Sequence, residues 1–349
     1  MNGLFEYRDN LDHLHFTSEQ KARMTAKVKD TAGAEAPSAR RPIRRTAILA
    51  VTVAAVLTTG GAVFATGQAG KLFAPIFGTA QTEIINKIGR PIGAEATNDG
   101  ITVTADAIIG DKYNACIIYT IKREDGSPLG LPDGVKAADL AFEKSGCDLS
   151  GGNGSHGTSW FMDGDTGDGG VRYAETISAA DALKLGQVNA EFHELQYSDP
   201  DTGKMVTLSD GEWNFSFQAD YEDSSLSLPA GETFPSGDKN FTITGISVSP
   251  VAMYVEYKTD GQPDWGNDTE DGREPSQVSL EMEKYLGGIS VILTKKDGTT
   301  LDLTGSGGSV SPSENGTVCT KNGVFGEIIP VEDMESISVG GVEIPVSSD

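Results

Sequence analysis

The sequence predicts a mainly β protein in which a short inner helix and one transmembrane helix precede two extracellular β-sandwiches in series. Three observations carry this reading. An uncharged stretch at residues 46–66, TAILAVTVAAVLTTGGAVFAT, follows directly on Arg40, Arg41, Arg44 and Arg45. Charge divides at the same place: residues 1–45 hold nine Lys/Arg against six Asp/Glu, which leaves 18 basic and 45 acidic residues of the chain's 27 and 51 beyond them. Downstream, short apolar runs of period two are separated by turn pairs such as Asp125-Gly126 and Asp297-Gly298.

As a helix the 46–66 stretch spans roughly 30 Å, the thickness of a hydrocarbon core. The four arginines then stay cytoplasmic by the positive-inside bias, placing 1–45 inside and 67–349 outside. A cleaved secretory signal competes, with small residues at Val63 and Ala65 and a faint twin-arginine likeness in Arg40-Arg41-Pro42-Ile43. Against it, the leader is long and the apolar stretch exceeds the roughly 7–15 residues of a signal. A buried soluble helix is the third reading. Gly61 and Ala65 have small-xxx-small spacing, which is common by chance.

Inside, Thr17-Ser18-Glu19-Gln20 fits a capping box and starts a helix that runs to about Lys29. Met24 and Val28, with Ala22, give it a thin apolar face, and Lys21, Arg23, Lys27 and Lys29 make it basic. Such a helix is marginal alone in water, so Met24, Val28, Lys21, Arg23 and Lys27 are the candidate partner-binding residues. Residues 31–38, rich in Ala, Gly, Pro and Ser, form a tether to the arginines.

Outside, residues 67–235 form the first β domain and 236–349 the second. A short helix, Gln81–Ile88, leads in. Strands follow at Ile101–Ile109, Ala115–Lys122, Val171–Ile177, Val188–Gln196 and Trp213–Tyr221. The boundary falls near Leu228–Asn240, LPAGETFPSGDKN, which has no periodic pattern. Phe241–Val248, Ala252–Lys258, the hairpin Ile289–Lys296 to Thr299–Leu303, and Ile337–Val346 make the second set. Asn98-Asp99-Gly100, Asn322-Gly323 and Gly340-Gly341 are further expected turns. Trp213, Phe215 and Phe217 alternate and therefore belong to a core, which argues against a sugar-binding face built from Trp160, Trp213 and Trp265.

A strongly acidic outer part repels nucleic acid and anionic lipid, so no nucleic-acid role is expected. Cys116, Cys147 and Cys319 allow at most one internal disulfide; Cys116 lies in the apolar run ACIIYTI and reads as a buried thiol, and Cys116–Cys147 is the favoured pair if one forms. Asp163–Gly170 imitates a calcium loop but has an extra residue and no distal Glu, so it reads as a solvated acidic loop, as does Asp264–Asp271. No metal site, cofactor or enzyme is expected: there is no GxSxG, no phosphate loop, and Ser155-His156 are adjacent in a glycine-rich stretch.

The segment GRPIGAEATNDGITVTADAIIGDKYNACIIYTIKREDG, with TEIINKIG before it and GEWNFSFQADYEDSS after it, resembles bacterial single-pass membrane proteins carrying an ectodomain of unknown function. FTITGISVSPVAMYVEYKT resembles the immunoglobulin-like domain that follows in them, and LDHLHFTSEQKARMTAKV their cytoplasmic leader. The resemblance implies an anti-sigma-factor-like role, with a cytoplasmic sigma factor as partner and an extracellular ligand. It brings no catalytic residue. Residues 1–45 lack the Cys of zinc-type anti-sigma domains, so His13 and His15 read as surface residues. The alternative function is an exported or anchored surface protein that binds glycan, wall polymer or protein.

Overall fold

The computed structural model describes residues 69–150, 154–162, 169–265 and 277–347. The inner helix, the four arginines, the 46–66 stretch, and most of the two acidic loops lie outside the described residues. Among the described residues no helix is long and apolar enough to cross a membrane.

The chain enters through two short helices, α1 (Ala69–Phe77) and α2 (Thr82–Ile88). The expected leading helix is thus α2, and α1 precedes it. Three strands follow: β1 (Arg90–Asn98), β2 (Ile101–Gly110) and β3 (Asn114–Arg123). Asp99 and Gly100 join the first two with φ of 49° and 68°, the two left-handed positions that a tight hairpin turn requires. Next come β4 (Leu140–Cys147), β5 (Ser155–Met162), β6 (Val171–Ala179), β7 (Gly186–Ser198) and β8 (Met205–Ala219). They form one antiparallel sheet of order β1-β2-β3-β6-β5 and a second of order β4-β7-β8.

Between these sheets lies the first core. Trp213 is fully buried there, with Phe142 edge-on at 5.9 Å, and its indole N–H donates to the Ile101 carbonyl at 2.8 Å. Burying the ring with its one donor satisfied is what makes a core tryptophan stabilising. Phe215 and Phe217 point the same way, as their alternation requires. Glu175 also faces this core, held by the Tyr119 hydroxyl at 2.8 Å.

The second part contains β9 (Leu226–Leu228), β10 (Thr233–Ser236), β11 (Lys239–Val248), β12 (Ala252–Thr259), α3 (Gln277–Leu286), β13 (Val291–Lys295), β14 (Thr300–Asp302), β15 (Gly308–Ser313), β16 (Gly316–Val324), β17 (Met334–Val339) and β18 (Val342–Pro345). One sheet runs β10-β11-β12-β16-β15, with β9 also on β11, and faces a sheet of order β14-β13-β17-β18. Phe234, Phe241, Tyr257 and Tyr285 fill the core between them. Lys321 is 1% exposed, and its ammonium donates to the carbonyls of Leu286 at 2.8 Å, Ile289 at 3.2 Å and Thr304 at 2.5 Å. A cation there satisfies the orphan carbonyl at the end of α3. Desolvation lowers the pKa of that ammonium.

Two local expectations differ from the structure. Leu228–Asn240 takes in the end of β9, all of β10 and the start of β11, with Leu228 and Phe234 buried; the crossing between the two sets of sheets is the shorter stretch from Ala219 to Leu226. Pro235 disguised this strand, and its place beside β11 alone is where a sheet tolerates proline. Asn322-Gly323 is not a turn but part of β16, opposite Tyr254 and Met253 of β12. All three cysteines are free, and Cys116 is buried as expected.

Candidate functional site at the sandwich junction

The middle of the first sheet is buried on both faces, and this creates the junction. Along β3 every residue from Asn114 to Ile121 is buried. Ile117 and Tyr119 enter the first core, while Cys116 and Ile118 point to the opposite face. There they meet Phe73 and Phe77 of α1, Ile85 and Ile88 of α2, and Val251, Ala252 and Ile328 of the second part. Gly70 lets the helices close on each other, because a Cβ at that position would lie 2.1 Å from the Thr82 methyl. One apolar cluster is therefore shared by the helical hairpin and both sandwiches.

Beside it runs a band of buried polar groups. Asp111, 3% exposed, shapes the β2–β3 turn: its Oδ1 accepts from the Tyr113 and Asn114 amides at 2.9 and 2.8 Å. Its Oδ2 accepts from the Ser249 hydroxyl of the second part at 2.7 Å. Desolvation pushes the Asp111 carboxyl above its usual range, and the bonds from Ser249, Tyr113 and Asn114 pull it back. The amide of Asn322 donates to the Ala179 carbonyl at 2.7 Å, and the Tyr254 hydroxyl donates to Ala180 at 3.0 Å. Tyr113 and Tyr254 stack across the junction with ring centres 3.7 Å apart. The crossing chain is fastened too: Tyr221 donates to the Asp111 carbonyl at 3.0 Å, and Asp223 accepts the Lys112 amide at 3.1 Å.

Beside the largely exposed edge strand β5 a cleft of about 460 Å³ opens. It is lined by Thr158 and Trp160 of β5 with Thr176 of β6, by Pro75 and Ile76 of α1, and by Ser306, Gly307 and residues 322–326 of the second part. Trp160 is 36% exposed, in contrast to Trp213. The sequence argument against a face made of three tryptophans holds for Trp213 alone. His156, expected in a glycine-rich stretch, sits on β5 with Nε2 3.2 Å from the Asn322 carbonyl. A carbonyl only accepts, so Nε2 carries the proton. Desolvation lowers the pKa of this imidazole, so the neutral form prevails at pH 7. Gly307 is required there, since a Cβ would come within 2.4 Å of the ring.

Arg40, Arg41, Arg44, Arg45, Lys21, Arg23, Met24, Lys27 and Val28 all lie outside the described residues, so none is placed in this site. The junction residues were not singled out from the sequence. Gly110-Asp111-Lys112-Tyr113-Asn114 carries a turn signal, but the burial of Asp111 depends on Ser249, 138 positions away.

Residues 39–123 match the model of a domain of unknown function, DUF4179. The match takes in the 46–66 stretch, α1, α2 and β1–β3, and ends on the last residue of β3. It thus includes the Asp111 turn and the hairpin side of the junction, but not the strands that complete the first sandwich. No curated protein matches the chain. Among solved structures, the conserved domain protein from Bacillus anthracis is similar at 17% identity and a TM-score of 0.44, over 72% of this chain and 76% of that one.

Proposed function

We propose that this chain is a single-pass membrane signalling protein, anti-sigma-factor-like, in which the two sandwiches face the envelope and residues 1–45 engage a cytoplasmic sigma factor. One observation carries the reading. The hairpin α1–α2, which begins three residues after the 46–66 stretch, is packed into the cluster shared by both sandwiches. Any change in how the sandwiches meet therefore alters the element next to the span. The arginine cluster supports the orientation, and the resemblance of the inner leader supports the partner.

Residues 1–45 used as bait should retain a sigma factor, with retention falling as salt rises, because the Thr17–Lys29 helix is basic. Met24→Asp with Val28→Asp should abolish retention while the full chain remains in carbonate-washed membranes. Failure to retain any sigma factor of the host would overturn the proposal. The second reading, a surface binding protein, is favoured by the cleft under Trp160 and predicts no effect of residues 1–45 on transcription.

A further inference from the structure

We infer that the cleft lined by Trp160 binds an uncharged saccharide, with one sugar ring stacked on the indole and its hydroxyls bonded to Thr158 and Ser306. The inference names the ligand of the outward-facing region and so rests on the envelope-facing orientation proposed above.

Charge selects this cleft. The chain carries a formal net charge of −24, and charged side chains line three other concavities among the described residues: Lys144 and Glu191 on the β4-β7-β8 sheet, Glu222 and Asp223 beside α2, and Lys295, Lys296 and Asp297 near the β13–β14 hairpin. No Asp, Glu, Lys or Arg is among the described residues lining the Trp160 cleft. A phosphorylated, carboxylated or cationic ligand would find no counter-charge there and would lose hydration on entry. What the cleft does offer is an aromatic face, side-chain hydroxyls, and backbone left open at Gly326. That combination suits a molecule with an apolar ring face and a rim of hydroxyls.

Location supplies the second argument. The cleft is walled by α1, the first sandwich and the second sandwich together. A ligand seated there touches all three elements and favours the arrangement in which they are closest, as a signalling ligand must. An uncharged peptide pairing with the edge strand β5 is the competing occupant; the exposed indole of Trp160 and the neighbouring hydroxyls favour the saccharide, and the peptide is an outcome of the test.

The test uses the full chain in detergent, screened against an array of uncharged oligosaccharides that includes chitotetraose and cellotetraose, with each hit titrated by calorimetry and tryptophan fluorescence. Expected are saturable binding, an affinity unchanged between low and high salt, and a loss of about tenfold or more in Trp160→Ala. Lys144→Ala, in the charged concavity, should bind as wild type. Trp160 is 36% exposed and so partly packed; melting Trp160→Ala beside Trp160→Phe, which keeps an aromatic face and should keep most of the binding, separates lost binding from lost folding. Binding of none of the array, equal binding by Trp160→Ala, or preference for uncharged peptides offered in parallel would overturn the inference. Saccharide binding without sigma-factor retention would leave this site standing and remove the signalling reading; retention without saccharide binding would do the reverse.

Discussion

The two sheets of the first sandwich bury their inner faces in one core but differ on their outer faces. In the β4-β7-β8 sheet, β8 alternates strictly, with Trp213, Phe215 and Phe217 inward and Glu212, Asn214 and Ser216 in solvent. In the other sheet, β3 is buried on both sides along most of its length. A strand that invests apolar residues on both faces must be covered on both. The coverings here are the α1–α2 hairpin and the second sandwich. The doubly apolar sheet thus joins the parts of the molecule, while the half-polar sheet closes a core.

The largest expected effect sharpens this contrast from the shared core. Trp213→Ala should cost about 3–5 kcal/mol in denaturant unfolding, through lost burial, a residual cavity and the unpaired Ile101 carbonyl. Ile118→Ala, on the outer face of β3, should cost about 2–5 kcal/mol because that face is an interior. A loss under about 0.5 kcal/mol would mean that the covering is not held there. Asn214→Ala, on the outer face of β8, should stay within about 0.5 kcal/mol.

A pH measurement probes the core itself. Desolvation raises the Glu175 carboxyl above its ordinary value, against the lowering bonds from Tyr119 and the Cys147 amide. The folded state therefore keeps this proton to higher pH than the unfolded chain. Between an unfolded value of about 4.3 and the raised folded one, the native state binds more protons, so the contribution of Glu175 to stability falls as pH rises through that window. Glu175→Gln removes this fall, and its stability relative to wild type should climb across the same range. A flat difference would show that the carboxylate is not desolvated.

Much of this contrast was legible beforehand. The alternation in EWNFSFQA marks a strand with one wet face, and the unbroken run ACIIYTI marks one with none. The hairpins at Asp99-Gly100, Asp297-Gly298 and Gly340-Gly341 followed from residues that accept positive φ. The helix holding Ile85 is legible in the sequence, but that it covers β3 together with Val251 is not, because Val251 lies 166 positions beyond Ile85 in a turn with no pattern of its own. SHGTSWFM lacks a clean apolar alternation, because most of β5 is exposed and only Phe161 and Met162 are buried. Asn322-Gly323 misled because a turn-forming pair was placed in a strand, where the Asn322 amide is drawn to the Ala179 carbonyl.

Hydrogen exchange on the full chain in detergent, comparing wild type with Val251→Asp, most directly tests whether the second sandwich reaches the element beside the span. Val251 lies in the second sandwich and contributes to the shared cluster. The expected result is faster exchange in α1 and α2 as well as around residue 251, since a buried charge there forces the junction apart. Acceleration confined to the second sandwich, with α1 and α2 protected as in wild type, would contradict the coupling.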